Sequence, residues 1–308
     1  MIAEHDPARL DPAQVRRAAE RAAATYDAAA VLQREVGRRM AERLALVKLQ
    51  PATILDAGCG TGEALTELRA RYPDTAILGV DIAANMLHAA RRRAEAMQLP
   101  QRGRLARLLG ARAAPGGEVH FIRGDIARLP LASGAVDLVW SNLVLHSVVA
   151  PLVVFAEFLR TLRVGGLLLF TTFGPDTLKE LRAAFSGVDA AAHVSRFIDM
   201  HDLGDMLVEA GFADPVMDAE VITLTYADAT AMMRELKATG AQNATRGRPR
   251  GMMGRERWRR VLAGLEPFRR EGRLPATCEI VYGHAWKPAP RLAVDGRAIV
   301  RFERRPTR

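Results

Sequence analysis

The sequence has little cysteine and no long apolar run, and each of these absences argues against a class of protein. Its two cysteines, Cys59 and Cys278, stand far apart in a chain of 308 residues, which argues against a disulfide scaffold and a cysteine-built metal site. We therefore expect no metal and a reducing, cytoplasmic location. Eighteen apolar residues never occur in succession, and the first six residues include two acidic ones and no long apolar run. We therefore expect neither a membrane span nor a signal peptide.

The charge of the chain is unbalanced. Lys and Arg total 44 against 35 Asp and Glu, a formal net charge of +9 that arginine carries almost wholly. Such an excess favours an acidic partner, which charge alone does not distinguish as nucleic acid, an anionic surface or an acidic protein. A dense arginine series lies between residues 246 and 273 and includes Arg246, Arg248, Arg250, Arg255, Arg257, Arg259 and Arg260. The length and apolar content predict one large elaborated domain.

Residues 53–62 predict a short buried strand that runs into a glycine-rich turn. Gly58, Gly60 and Gly62 leave one side of the turn without Cβ atoms, so a ligand could lie against the backbone. Residues 63–70 are strong helix formers, which places free backbone N–H groups at a helix N-terminus. Position 63 is Glu, where a dinucleotide-binding fingerprint has glycine. Taken alone, the turn could also be an ordinary strand-to-helix loop.

Polar residues follow four predicted strands, at 53–55, 75–80, 119–122 and 136–140. They are Asp56, Asp81, Asp125 and Asn142. Ligands of open parallel sheets bind at the carboxyl ends of strands, so we expect these side chains to converge on one crevice. Asp81 lies where nucleotide folds place the carboxylate that holds two ribose hydroxyls. Helix caps and turns would explain any one of these residues, but not the series.

These motifs resemble those of class I S-adenosylmethionine-dependent methyltransferases over residues 53–172. The resemblance rests on Asp56-x-Gly58-x-Gly60-x-Gly62, Asp81, Gly124-Asp125-Ile126-x-x-Leu129-Pro130-Leu131 and Val136-Asp137-Leu138-Val139-Trp140-Ser141-Asn142. It implies an α/β Rossmann-like fold with a seven-stranded, mostly parallel sheet and an antiparallel last strand. It also implies that the glycine turn takes the amino-acid part of the cofactor, Asp81 the ribose, and Asp125 with the Ile126 backbone the adenine. Ile82 and Asn142 complete the expected cofactor site.

The second half of the chain is similar to the malonyl-(acyl-carrier protein) O-methyltransferases of biotin synthesis. The similarity rests on Gly174-Pro175-Asp176-Thr177-Leu178-x-Glu180-Leu181-Arg182, Asp199-Met200-His201-Asp202, Ala210-Gly211-Phe212, Arg234-Glu235-Leu236-Lys237 and Gly240-Ala241-x-Asn243-Ala244, and on Ala23-x-x-Tyr26-Asp27 before the core. A related group, the methyltransferase-like assembly factors of respiratory complex I that hydroxylate an arginine, shares much of this pattern. The positive charge would also suit an RNA methyltransferase, although the sequence has neither aromatic-basic interleaving nor an RNA module. A non-enzymatic binding factor is a further hypothesis.

This second resemblance implies that the chain methylates the free carboxylate of a malonyl group on an acyl carrier protein and releases S-adenosyl-L-homocysteine. A carboxylate with a pKa of about 4 is ionised at neutral pH, so no general base is required. We expect Arg182 to pair with this carboxylate, because a guanidinium matches it bidentately, and Tyr26 to assist. A surface salt bridge with Glu180 or Asp176 is the alternative for Arg182, and half-buried packing is the alternative for Tyr26. His146 is a candidate base but fits a structural role better. We expect a monomer.

The domain organisation follows from the same motifs. We expect an N-terminal helical lid at residues 1–50, with one helical stretch over 12–48, and a methyltransferase domain at 51–288. Within that domain, residues 101–117 predict a basic surface insertion, and residues 173–270 predict substrate-side elements with inserted helices. Asp176 or Thr177 is the expected cap of the helix that follows it. The last strand, at 277–286, should run antiparallel to its neighbours, and residues 289–308 form a basic tail.

Overall fold

The computed structural model of the chain describes residues 6, 8–97, 117–189, 191–249 and 251–290. The predicted basic insertion at 101–117 lies outside the described residues except for Gly117, and the predicted tail lies outside them from residue 291 onward. Within the described part of the chain, no helix is both long and apolar enough to cross a membrane.

Seven strands form one sheet in the order β3-β2-β1-β4-β5-β7-β6. Their bounds are β1 Thr53–Ala57, β2 Ala76–Asp81, β3 Val119–Arg123, β4 Val136–Ser141, β5 Leu162–Phe173, β6 Ala213–Tyr226 and β7 Leu274–Trp286. The first five strands pair in parallel, and β7 pairs antiparallel with both β5 and β6. The predicted mostly parallel sheet with an antiparallel last strand is confirmed. The carboxyl ends of β1, β2 and β4 therefore meet at one edge, which is where the site lies.

The fifth strand begins earlier than the sequence predicts. The glycine pair Gly165-Gly166 predicts a turn before the strand, but the strand runs from Leu162, and the register shifts between Val136 and Leu138 of the neighbouring β4. Gly165 has a φ of 75°, a conformation that glycine adopts at little cost. The glycine pair therefore sits within the strand, at its irregularity, and does not precede it.

Helices cover both faces of the sheet. Ten α-helices are described: α1 Pro12–Ala22, α2 Tyr26–Ala29, α3 Val31–Ala45, α4 Leu65–Arg71, α5 Ala84–Ala96, α6 Pro151–Thr161, α7 Lys179–Ser186, α8 Met200–Ala210, α9 Ala229–Ala238 and α10 Arg255–Leu265. Alternate residues of each strand point to opposite faces, so Ile54 packs with the apolar stripe of α3 while Leu55 packs with α6 and α8. Helices α7, α9 and α10 share a smaller core with the ends of β6 and β7.

The helical stretch predicted over 12–48 is interrupted twice. Helix α1 ends at Ala22, α2 forms a single turn, and Ala30, with φ −79° and ψ 45°, separates α2 from α3. The side chain of Thr25 donates to the carbonyl oxygens of Ala22 and Ala238 (3.1 and 2.9 Å), which fixes the first break against the end of α9. The predicted stretch is therefore helical but divided into three helices, because these tertiary contacts redirect the chain at Tyr26.

The cap predicted for α7 was wrong. Leu178 occupies the cap position with a φ of 54°, and no side chain caps the helix. Thr177 instead exchanges hydrogen bonds with the backbone of Glu279 on β7, at 3.1 Å in each direction. The Asp176 carboxylate pairs with Lys179 at 2.8 Å. Both expected caps are thus occupied by other contacts, because the turn before α7 is held by β7.

Candidate active site

A cavity of about 490 Å³ opens at the carboxyl ends of β1, β2 and β4. Its walls come from the N-terminal helices, the glycine turn, and the elements between residues 173 and 278. Of the predicted site residues, those that line it are Tyr26, Gly58, Gly60, Asp81, Ile82 and Asn142. One cavity therefore unites the lid, the glycine turn and the substrate-side elements, as their motifs predict.

The three glycines of the turn serve different purposes. All three have positive φ, at 79°, 52° and 78° for Gly58, Gly60 and Gly62. A Cβ on Gly60 would meet no atom within 4 Å, so the backbone there faces open space. A Cβ on Gly58 would lie 2.4 Å from a methyl of Val144, and one on Gly62 would press on Ala90 at 3.2 Å. Gly60 therefore presents bare backbone to a ligand, whereas Gly62 allows the turn to pack on α5.

Asp81, the last residue of β2, orders the glycine turn. Its Oδ2 accepts a hydrogen bond from the Gly60 N–H (3.0 Å), and its Oδ1 accepts one from the Ala83 N–H (2.8 Å). Burial raises the pKa of this carboxyl, while the two backbone donors act in the opposite direction. A carboxylate can accept about four hydrogen bonds. Two are used here, so each oxygen keeps one acceptor position for a ligand such as a pair of ribose hydroxyls.

The other predicted strand-end residues are placed differently. The Asp56 side chain is buried, and its burial, with Asp81 nearby, raises the pKa of its carboxyl to about 7. Asp125 is exposed and accepts from the Ala127 N–H (2.9 Å), while Ile126 is buried in the core below α6. Neither these three nor Gly62 are among the described residues that line the cavity. Their roles toward the cofactor stay predictions.

Asn142 joins the lid to the sheet. Its Nδ2 donates to the Gln33 carbonyl oxygen on α3 (2.9 Å), and its Oδ1 accepts from the Thr171 hydroxyl on β5 (2.7 Å). A Cβ on Gly37 would lie 3.1 Å from Nδ2, so α3 approaches closely because position 37 has no side chain. Asn142 thus lines the cavity while it fixes the helix that covers it.

A second set of contacts fixes the lid, and the sequence motifs did not single it out. Asp27 accepts from the Thr61 hydroxyl of the glycine turn (2.6 Å) and pairs with Arg93 of α5 (2.9 Å). At the preceding position, Tyr26 packs on Ala83 and Met86 and faces the cavity. Burial, then the negative charge of Asp81, raises the pKa of the Tyr26 hydroxyl, so this phenol stays protonated and can donate.

Two cavity residues hold a strained backbone. Leu143 and Leu178 have φ values of 51° and 54°, which L-residues with branched side chains rarely adopt. The Leu143 N–H donates to both the carbonyl and the hydroxyl oxygen of Thr171 (3.1 and 2.9 Å), and the Leu178 N–H donates to the Thr277 carbonyl (2.7 Å). Such conformations cost roughly 1–3 kcal/mol and persist where surrounding contacts hold them. Here they aim two leucine side chains at the cavity.

His146 lies among aromatic rings at the substrate side of the cavity. Its ring is 4.6 Å from the ring of Phe173 and 6.2 Å from that of Phe197, centroid to centroid. Burial lowers the pKa of His146 to about 4, and its Nδ1 has no partner among the described residues. At neutral pH this imidazole is therefore uncharged, which suits a packing or hydrogen-bonding role.

Arg182 does not line the cavity in the part of the chain that the structure describes. Its guanidinium donates to the carbonyl oxygens of Pro175 (2.9 Å) and Thr177 (3.1 Å), within the turn before α7. Neither Glu180 nor Asp176, the expected salt-bridge partners, holds it: Glu180 binds Thr277, and Asp176 binds Lys179. The pairing of Arg182 with the acceptor carboxylate stays a prediction from the sequence, whereas the contacts in the structure favour a role in positioning the turn before α7.

The far wall contains polar groups to which the sequence gave no role. The Tyr226 hydroxyl donates to Glu235 Oε1 (2.8 Å), and both residues line the cavity. Glu235 and Asn243 belong to motifs that carry the family resemblance. The sequence therefore singled out these two positions, but it did not predict which residues they contact. Tyr226 carries no such signal, because its place depends on the pairing of β6 with β7.

The cavity fits S-adenosyl-L-methionine. Gly60 offers open space over the backbone, and Asp81 keeps two acceptor positions. The Oε1 of Gln33, which also lines the cavity, is buried without a partner among the described residues, and a buried acceptor of this kind requires a donor. The ribose hydroxyls and the ammonium of the cofactor are such donors.

Comparisons with known proteins identify the family of this chain. Residues 55–170 match the methyltransferase domain family. The chain is 56% identical to malonyl-(acyl-carrier protein) O-methyltransferase of Laribacter hongkongensis, over 95% of this chain and 96% of that protein, and 50% identical to the enzyme of the same name from Gallionella capsiferriformans over the same shares. The YcgJ protein of Bacillus subtilis matches in structure with a TM-score of 0.54 at 12% identity, covering 82% of this chain and 99% of that one, which shows the fold alone. The chain belongs to the malonyl-(acyl-carrier protein) O-methyltransferase family.

Proposed function

We propose that this protein is an S-adenosyl-L-methionine-dependent O-methyltransferase that converts the free carboxylate of a malonyl group on an acyl carrier protein to its methyl ester, an early step of biotin synthesis. The observation that carries the proposal is the identity of 50–56% with enzymes of that name, over nearly the full length of each. The geometry supports it, because one cavity joins the glycine turn to an apolar acceptor end.

The cofactor, when bound, supplies an electrophilic methyl group. We propose that Gly60 gives it a bare backbone surface, with Gly58 beside it in the cavity wall, that Asp81 accepts from its ribose and that Gln33 accepts from its ammonium. Tyr26 lies on the lid beside Asp81 and covers this end of the cavity. These groups bind and orient, which is the contribution that a reaction between two preformed reactants needs most.

The acceptor end favours a carboxylate that is already ionised. Phe173, Phe197, Leu143 and Leu178 provide an apolar wall that excludes water, and a carboxylate stripped of water is a stronger nucleophile. His146 is neutral above about pH 5, since burial lowers its pKa to about 4. No proton has to leave the acceptor, so the reaction proceeds without a general base. We propose that Tyr26 donates to an acceptor or cofactor oxygen.

The remaining expectations about partners and location extend this proposal. The acyl carrier protein is the proposed acidic partner, and the positive charge of the chain supports it. The monomeric state and the cytoplasmic location stay predictions from the sequence. Sedimentation of the purified full chain at micromolar concentration tests the first of these.

The decisive experiment measures methyl transfer to a purified carrier. The full chain is incubated with S-adenosyl-L-methionine and malonyl carrier protein, and intact mass spectrometry follows the carrier. We expect the mass to rise by one methylene, and only with the free acid, because the methyl ester of the malonyl group offers no nucleophile. Unchanged carrier mass, together with methylation of an RNA or hydroxylation of a protein arginine supplied in parallel, would replace the proposal with an RNA methyltransferase or an arginine hydroxylase.

A further inference from the structure

A second cavity of about 360 Å³ adjoins the main one. The two share Leu10, His146 and Phe197 as lining residues. The inner wall of the second cavity is apolar and is formed by the loop before α6, by Leu203 of α8 and by Ile198. His146 therefore lies between the two cavities, and its Nδ1 has no hydrogen-bond partner among the described residues.

Two arginines stand in the wall of this second cavity. They are Arg9 and Arg196, and no carboxylate of the described residues forms an ion pair with either guanidinium. Asp6 also lines the cavity, where its Oδ1 accepts from the Ala8 N–H at 2.9 Å, so the lining holds two guanidinium groups against one carboxylate. Helix α6 begins at Pro151 in the same wall, with Ala150 as a cap that provides no side-chain acceptor. Two cations and an uncapped helix N-terminus make this cavity suited to an anion.

The segment that carries Arg9 lies beside the start of the arginine series. Leu10 pairs with Thr245 as an antiparallel bridge, and the Arg246 N–H donates to the Arg9 carbonyl oxygen at 2.8 Å. On the other side of the bridge, the Asp11 N–H donates to the Ala244 carbonyl oxygen, also at 2.8 Å. The segment that carries Arg9 is therefore fixed alongside the start of the arginine series. An acidic protein bound to that series would lie next to Arg9.

We propose that this second cavity takes the phosphopantetheine arm of the acyl carrier protein. Arg9 and Arg196 bind the phosphodiester at the outer end. The uncharged pantetheine chain follows the apolar wall, and its thioester end passes His146 and Phe197 into the main cavity. A phosphate joined to a neutral, flexible chain matches a site that is cationic at one end and apolar along its length. This inference rests on the proposed function and adds the route by which the acceptor arrives.

Binding of fragments tests the route without requiring methyl transfer. Calorimetry on the full chain, with the cofactor product S-adenosyl-L-homocysteine present, compares 4′-phosphopantetheine with pantetheine. We expect the phosphorylated fragment to bind about tenfold to a hundredfold more tightly, since hydrogen bonds to charged groups carry this preference. The preference should disappear in the Arg9→Gln/Arg196→Gln variant. Arg92→Gln, which replaces an exposed arginine on α5, is the matched control and should keep it.

Kinetics separate failure of this inference from failure of the proposed function. With malonyl carrier protein or malonyl-CoA, which both contain the phosphate, the double variant should raise KM by tenfold or more. With a malonyl thioester of N-acetylcysteamine, which lacks phosphate, KM and kcat should match those of wild type. Equal binding of both fragments by wild type would overturn the inference even if the carrier is methylated. A phosphate preference without any methyl transfer would keep the binding site and refute the enzymatic proposal.

Discussion

Asp81 has two tasks, because the oxygens that would meet the ribose also hold Gly60 and Ala83. We expect Asp81→Asn to weaken cofactor binding by about 1.5–3 kcal/mol, the range for a lost hydrogen bond to a charged group. Asparagine keeps one acceptor oxygen, so the turn should be perturbed less than in Asp81→Ala. Calorimetry with S-adenosyl-L-homocysteine measures the change. Asp74→Asn, at an exposed turn, is the control, and equal affinity in Asp81→Asn would remove the ribose role.

Measurements of stability and of catalysis distinguish two roles of Arg182, holding the turn before α7 and contacting the acceptor carboxylate. The guanidinium binds the Pro175 and Thr177 carbonyls, so we expect Arg182→Ala to lower the melting temperature and to raise KM for the acceptor only modestly, through the neighbouring Leu178. Lys179→Ala, which removes an exposed pair on the same turn, is the control. The opposite pattern, an unchanged melting temperature with a several-hundredfold loss of kcat/KM, would support the direct carboxylate contact predicted from the sequence.

The protonation of His146 should appear in stability and not in catalysis. Its pKa is lowered to about 4 in the folded chain, against about 6.5 unfolded, so its contribution is complete above pH 6.5 and is lost as pH falls toward 4. Between pH 7 and 5 the unfolding free energy of wild type should therefore fall by about 1–2 kcal/mol relative to His146→Asn.

Only the difference in unfolding free energy between wild type and His146→Asn is informative about His146. Asp56 has a raised pKa of about 7, so its contribution is complete below its unfolded pKa and is lost as pH rises through 7, opposite in sign to that of His146. Denaturant titrations of both proteins at pH 7 and 5 cancel the Asp56 contribution. Parallel pH profiles would contradict the lowered pKa, and a large loss of kcat in His146→Asn at pH 7 would contradict a reaction without a base.

Among the secondary-structure elements, the short helix α2 depends on its anchor more than on its own hydrogen bonds. One turn of helix is unstable alone, so the contacts of Asp27 with Thr61 and Arg93 must hold it. We expect Asp27→Ala to speed cofactor dissociation about threefold to tenfold, equal to about 0.7–1.4 kcal/mol, which is the range for a half-exposed ion pair with one added hydrogen bond. Stopped-flow fluorescence measures the rate.

The control for this lid prediction lies on α3. Glu42→Ala removes an exposed ion pair with Arg38 that does not touch the cavity, and its dissociation rate should equal that of wild type. Hydrogen exchange adds a second readout, since amides of residues 26–31 should exchange faster in Asp27→Ala only. An unchanged dissociation rate in Asp27→Ala would show that Asn142 and the packing of Tyr26 are sufficient to hold the lid.

Across the whole molecule, the arginine-rich surface should recruit the acidic carrier. The structure refines which arginines test this, because Arg257 pairs with Asp189, which also binds the cavity residue His193, while Arg259 pairs with Glu256. We expect Arg255→Glu/Arg260→Glu to raise KM for malonyl carrier protein, with little change for a small malonyl thioester. The effect should shrink with added salt, since the screening length is about 8 Å at physiological ionic strength.

A matched charge change elsewhere controls for net charge. Arg92→Glu/Arg128→Glu alters the total charge equally at exposed positions outside the arginine series. Steady-state kinetics with both acceptors should separate the two variants. If both raise KM for the carrier by the same factor, the attraction is a property of the net charge and not of this surface.

Local sequence determined the sheet and the cofactor end of this protein. Strand periodicity, positive-φ glycines and a carboxylate at a strand end are properties of neighbouring residues, so the parallel strands, Gly58, Gly60 and Asp81 were predicted correctly in position. The β7 strand was likewise predicted as antiparallel. Its place between β5 and β6 was not, because sequence does not encode strand order directly.

Only the tertiary structure decided the lid and the acceptor end. Thr25, Leu178 and Arg182 are each held by backbone carbonyl oxygens, which any residue can supply, so no side-chain motif reveals these contacts. Leu10, which lines both cavities, is placed in the same way by pairing with Thr245, 235 residues later in the chain. Features set by neighbouring residues could therefore be predicted from the sequence. Contacts made by backbone atoms far apart in the chain could be known only from the tertiary structure.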